Sequence, residues 1–164
     1  MNDVTEGPVP GPVGVAKPIM TIGWREMVAL PKLGLPRLKA KIDTGARTSA
    51  LHAIDLEPFQ RGGAEWIRFH IPDDAHEHIE QPTDCEAPLV DTREIRNTSG
   101  VPDARPVIAT QLLIGGRRWT IEVSLTDRSD MKFPIILGRT AIRRRRILVN
   151  PGRSWLLAPE RTAP

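Results

Sequence analysis

The residues best suited to chemistry form one short run, Lys41-Ile42-Asp43-Thr44-Gly45-Ala46. Asp43 closes an alternating stretch, Leu38-Lys39-Ala40-Lys41-Ile42, and the Thr-Gly that follows is turn chemistry. A carboxylate at the end of a strand has its backbone held by a sheet. Gly45 lets the chain pass close behind it and aim backbone N–H groups at it. Such a group can take a proton from water while a second carboxyl protonates the leaving group. Thr44 can supply a hydroxyl to a neighbouring loop. Asp-Thr-Gly alone also describes an ordinary turn.

Other chemistries find less here. His76-Glu77-His78, with Cys85, is a cluster of ligand-type residues in an acidic, Pro-bounded stretch, but its spacing is too permissive to imply a metal. There is no His-Glu-x-x-His, and one cysteine cannot build a Cys-rich zinc site. A phosphate-cradling Gly-x-x-x-x-Gly-Lys-Ser/Thr loop and a Gly-x-Ser-x-Gly nucleophile elbow are also missing. No metal and no cofactor is expected. His52 and His70 read as packing or surface residues.

The elements that must position Asp43 are strands. Thr21–Trp24 and Met27–Leu30 read as a strand broken by a polar bend and closed by Pro31, and Leu38–Ile42 as a half-buried strand. Glu65–Ile71 alternates, with Ile67, Phe69 and Ile71 on one face and Trp66, Arg68 and His70 on the other. Residues 106–114 and 118–125 flank Gly115-Gly116, a hairpin signal. Phe133–Leu137 and Arg146–Val149 are short apolar strands, and a turn at Pro151-Gly152 leads to Trp155-Leu156-Leu157. Only Arg139–Arg145 looks helical. The pattern predicts a small all-β barrel with one short helix near its C-terminal end.

Composition sets the outer limits. Residues 1–19 and 158–164 are Pro-rich without apolar period and read as flexible tails, which leaves one ordered domain over 20–157. No secretory signal and no apolar run of about 20 residues appears, so no membrane is expected. The single cysteine suits a reducing, cytoplasmic setting. A net charge of +3 hides a segregation of arginines in the second half, including Arg143–Arg146, and of acids in 73–94. Solvation and internal pairing account for most such runs, and nucleic acid is the less favoured partner.

A second segment lifts Asp43-Thr44-Gly45-Ala46 above the turn reading. Ile135-Ile136-Leu137-Gly138-Arg139 follows downstream, and the pair resembles retropepsins, in which a catalytic Asp-Thr/Ser-Gly-Ala loop, a flap hairpin and an apolar-apolar-Gly-Arg segment lead into one short helix. The strings AKIDTGARTSALHA, Asp91-x-Arg93 with Ser99-Gly100, and MKFPIILGRTAI are similar to a bacterial, RimB-like branch often labelled ATP-dependent zinc proteases.

The resemblance implies a pepsin-half barrel that works as a homodimer. It makes Asp43, Thr44 and Gly45 catalytic and Gly138 and Arg139 structural. One Asp-Thr-Gly per chain means that the second carboxylate comes from another copy through a twofold axis, the two sharing one proton. Residues 88–110 would form the flap, with Ser99 and Gly100 near its tip. Viral relatives commonly carry an aspartate after Asp-Thr-Gly-Ala, which pairs with the arginine of the Gly-Arg segment. Here that position is Arg47, so Arg139 is expected to find Asp55, Asp91 or Asp127 instead.

Ala46, Arg47, Arg93, Arg96, Ser99, Gly100 and Arg105 are the candidate substrate-binding residues, with Arg128 nearby. Such a cation-rich cleft would favour acidic peptides. Branch members are often encoded beside an enzyme that adds glutamates to a ribosomal small-subunit protein, which makes a glutamate-rich tail the expected substrate. The competing readings are an inactive peptide-binding dimer of the same fold and a basic nucleic-acid-binding β-domain.

Overall fold

A computed structural model of the chain describes residues 17–72, 83–96, 100–128 and 130–157, the side chains at 83 and 96 excepted. Almost everything in them is strand, as the alternation predicts. The strands are β1 (Met20–Gly23), β2 (Arg25–Leu30), β3 (Leu35–Asp43), β4 (Ser49–His52), β5 (Ile54–Arg61), β6 (Ala64–Ile71), β7 (Thr83–Arg96), β8 (Pro102–Ile114), β9 (Arg117–Thr126), β10 (Ile135–Gly138) and β11 (Ile147–Asn150). One helical turn, α1 (Arg139–Ile142), follows β10.

Six strands run in the order β2-β3-β10-β4-β9-β8, and β8 closes back on β2 through Ala29 opposite Leu113. Closure removes the sheet edges and encloses a core of fully buried Leu30, Leu35, Leu38, Leu51, Leu112 and Leu125. Each such side chain contributes about 1.5–3 kcal/mol relative to exposure. Alternation in β3 puts Leu38, Ala40 and Ile42 into that core and leaves Lys39 and Lys41 outside it. From β8 the sheet continues through β7, β6 and β5 as an arm beyond the barrel, where Ile67, Phe69 and Ile71 are buried as their alternation requires.

Gly115 and Gly116, with φ of 56° and 76°, turn β8 into β9 in the left-handed region that a tight hairpin needs. Gly62 and Gly63 do the same between β5 and β6. That hairpin escapes the sequence reading because β5 carries Pro58 and mixes charges with its apolar residues. Ser49-Ala50-Leu51-His52 is too short and too Ala/Leu-like to signal β4, although β4 lies between β9 and β10. The helix is shorter than the expected Arg139–Arg145. Arg143 takes extended backbone (ψ 147°), which ends it at Ile142, and the positive φ of Arg144 and Arg146 (64° and 55°) keeps the run from resuming it.

The two ends of the described chain meet. β1 pairs in parallel with β11, and the segment after β11 crosses the β1–β2 bend. Glu26, wholly buried, accepts the N–H groups of Gly23 (2.9 Å) and Leu156 (2.7 Å) on Oε1 and of Leu157 (3.3 Å) on Oε2. A buried carboxylate is tolerable there because it replaces water for three backbone donors. No helix among the described residues is long and apolar enough to cross a membrane.

Two outcomes follow from these buried groups. Glu26→Ala leaves those donors without an acceptor and should cost about 3 kcal/mol or more in urea unfolding, with Glu26→Gln costing less. Burial, and then the charge of Asp84, push the Cys85 thiol up to about 12. Native protein should therefore resist alkylation at mildly alkaline pH and react only once unfolded.

Candidate active site

β3 delivers Asp43 at its last position, and β10 lies parallel to it with Leu137 opposite Ile42 and Gly138 opposite Asp43. This pairing brings together two segments about a hundred residues apart in sequence. Asp43 Oδ1 accepts the N–H groups of Gly45 (3.1 Å) and Ala46 (3.2 Å), which fixes the carboxylate on its own loop. A Cβ on Gly45 would lie only 3.3 Å from that oxygen. Oδ2 has no partner among the described residues, and Asp43 lines a cleft.

The loop is anchored on the start of α1. Arg139 N donates to Ala46 O (2.8 Å), and Thr140 donates to Arg47 O from its N (3.3 Å) and its Oγ1 (2.7 Å). Gly138 N donates to Ser49 Oγ (3.0 Å). A Cβ on Gly138 would sit 2.6 Å from Thr48 O and 2.7 Å from Thr48 C, so only glycine lets the loop lie against β10. Arg139 corrects an expectation. Its Nη1 donates to Gly45 O (3.2 Å), and it pairs with none of Asp55, Asp91 and Asp127. With Arg47 where an acid might stand, a main-chain carbonyl of the Asp43 loop takes the carboxylate's place.

The cleft measures about 1070 Å³. Asp43, Gly45, Ala46 and Arg47 form one wall, and Arg93, Glu94, Ile95 and Arg105 from the β7–β8 hairpin form another. That hairpin has the expected arms, from Leu89 opposite Ile108 to Arg96 opposite Pro102. Arg93 and Arg105 face one another across it. Of the sequence-predicted set, Gly100 (φ 76°) is exposed beside the hairpin tip and does not line the cleft. Ser99 and the Arg96 side chain lie outside the described residues, as do His76, Glu77 and His78. Thr44 is exposed, and the bond expected from its hydroxyl to a neighbouring loop is absent among the described residues.

The arginines differ in what holds them. Arg93 forks onto Glu122, with Nη1–Oε1 and Nη2–Oε2 both 3.1 Å, and its Nε reaches Asp91 at 2.9 Å. Glu122 first, then Asp91, holds its guanidinium charged even more firmly than usual. Arg105, only 6% exposed, uses Nε on Asp103 (3.0 Å). Arg128 is 3.8 Å from Asp130, and Arg47 has no ion pair among the described residues. Buried His52 sits behind these residues, its Nδ1 3.2 Å from both the Arg128 N–H and Thr126 O. Glu94 and Met131 join the lining without having been singled out in the sequence, because nothing in their local pattern marks them.

Comparison with known proteins agrees with this geometry. A profile of the RimB-like family, described as retropepsin-like aspartic endopeptidase RimB, matches residues 21–160. A probable alpha-L-glutamate ligase of Shewanella pealeana is 39% identical over 138 residues, which is 83% of this chain and 29% of that protein. A second protein of that name, from Parasynechococcus marenigrum, is 43% identical over 133 residues, covering 79% of this chain and 28% of its own length. The chain thus spans under a third of these curated relatives. The crystal structure of Lpg0085 from Legionella pneumophila, a protein of unknown function, superposes with a TM-score of 0.72 at 28% identity, over 84% of this chain and 98% of that one.

The anchoring of the loop can be tested without any substrate. Gly138→Ala should force Thr48 away, speed hydrogen exchange at the Arg139 and Thr140 amides and lower the melting temperature. Thr140→Val, which removes one bond, should cost only about 1 kcal/mol.

Proposed function

This chain belongs to the RimB-like family of retropepsin-like aspartic endopeptidases, and from that premise we propose that it hydrolyses peptide bonds as a homodimer, with Asp43 of each copy forming the catalytic pair on glutamate-rich chains. The observation that carries the reading is Asp43, held through Oδ1 by its own loop, without a partner on Oδ2 among the described residues, and lining a cleft walled by arginines. Two such carboxyls brought within about 3 Å share one proton. The ionised one takes a proton from water as the water oxygen attacks the amide carbon, and the protonated one serves the departing nitrogen. Thr44 is exposed, as a residue that meets a second copy in this dimer would be in the single chain.

The substrate class follows from charge. Arg47, Arg105 and Arg128 line the cleft with Asp43, which favours peptides rich in carboxylates. In the Shewanella and Parasynechococcus relatives, a stretch similar to this chain belongs to a polypeptide named for glutamate ligation. A glutamate tail added after translation, on a ribosomal small-subunit protein as the resemblance suggests, fits that association, and the cytoplasm is where it would be met.

An inactive peptide-binding dimer would need no carboxylate oxygen left without a partner, which favours turnover. The arginine run offers less to nucleic acid than its sequence suggests. Arg145 stacks 5.2 Å over Trp119, Arg146 Nε donates to Lys17 O at 2.6 Å, and Arg117 donates to Arg145 O and Pro18 O.

Asp43→Asn should cut hydrolysis of an oligo-glutamate-tailed peptide by about a hundred- to ten-thousandfold and leave assembly intact. Specific activity of the unmodified protein should fall on dilution, in step with dissociation seen by sedimentation. Full specific activity from a demonstrated monomer would rule out the shared site. Equal rates on glutamate and glutamine peptides would remove the acidic preference.

A further inference from the structure

A smaller chamber of about 350 Å³ lies beside the cleft. Arg47, Thr48, Arg93 and Ile95 line both spaces, so the two are immediate neighbours. The side chamber adds Thr120, Glu122, Thr140 and Arg143. Its volume is at the lower end of the roughly 300–1000 Å³ of small-ligand pockets. Its charged lining comprises Arg47, Arg93 and Arg143 against Glu122 alone. Arg143 follows α1, where its N–H donates to Arg139 O (2.9 Å), so the turn that anchors the catalytic loop also places this arginine. Neither Arg47 nor Arg143 has an ion-pair partner among the described residues.

Glu122 is the informative group. It presents its carboxylate to Arg93 in the two-pronged geometry in which arginine binds any carboxylate. Both side chains are well exposed, 38% and 49%, so the pair is weakly held and exchangeable. We propose that the side chamber is a second carboxylate-binding subsite, with Glu122 occupying Arg93 until an acidic residue of the substrate replaces it. The inference rests on the acidic-substrate reading and extends it. One acidic residue meets the main cleft, while a chain of them engages Arg143 and Arg93 as well, so affinity grows with the number of consecutive carboxylates.

Binding of fluorescently labelled hexaglutamate and hexaglutamine to full-length Asp43→Asn protein tests this, with each further substitution added to that background. Glu122→Gln should tighten hexaglutamate several-fold, to about tenfold. That gain should vanish when Arg93→Gln is also present. Arg143→Gln should weaken hexaglutamate by a similar factor and leave hexaglutamine unchanged. Glu94→Gln removes the same unit of charge from the main cleft without freeing Arg93, and should give a distinctly smaller gain. Thermal melts establish that each variant is folded. If the background protein prefers hexaglutamate but neither Glu122→Gln nor Arg143→Gln changes its affinity, the side chamber is no subsite, and the acidic reading of the main cleft stands. Equal gains from Glu94→Gln and Glu122→Gln reduce the effect to general charge and overturn the exchange. No preference for hexaglutamate in the background protein overturns the acidic reading and the subsite together.

Discussion

Everything at the candidate site depends on one close approach, the backbone of Thr48 lying against Gly138. The parallel register of β3 and β10 puts Gly138 beside Asp43, and the missing Cβ lets the loop fold onto β10. From that contact follow the bonds of Arg139 and Thr140 to Ala46 and Arg47, and of Gly138 to Ser49. The loop then has no freedom to wander. Its carboxylate is presented by a barrel that is closed and densely buried behind it.

The cleft assembles many like charges without collapsing, because each arginine is handled differently. Arg93 is neutralised by two acids, Arg105 is buried with one, and Arg47 is left to solvent. Like charges directly opposite across a hairpin repel, and Arg93 faces Arg105 in that way. Asp91, Glu122 and Asp103 offset this locally. The price is that these acids compete with any anionic ligand for the same arginines.

Much of this was legible in the sequence where one periodic signal dominates. Alternation in Leu38–Ile42 and Glu65–Ile71, and the Gly115-Gly116 turn, place two strands and a hairpin correctly. Asp43-Thr44-Gly45 and Gly138-Arg139, which the resemblance singles out together, lie side by side through the pairing of β3 with β10. What escaped is set by tertiary context. β4 is four residues whose strand state comes only from its neighbours, and β5 hides its period behind Pro58 and charged residues. Arg139 was assigned a carboxylate because side-chain partners can be read from sequence, whereas a carbonyl oxygen in reach cannot. Arg143 lay inside a run that looks uniform, and only the end of α1 sets it apart from Arg145 and Arg146.

The Glu26 clamp bears on how such a domain can be joined to another. Trp24 and Arg25 are bound to residues 153–155 and Glu26 to residues 156 and 157, and Trp24 O in turn accepts the N–H of Ile42 (2.8 Å), the residue before Asp43. A pull on the chain leaving residue 157 is thus transmitted through two short links to the strand that carries Asp43. In a longer polypeptide, the junction on that side would act as a lever on the site. A linker's stiffness there, and not only its length, would enter the chemistry.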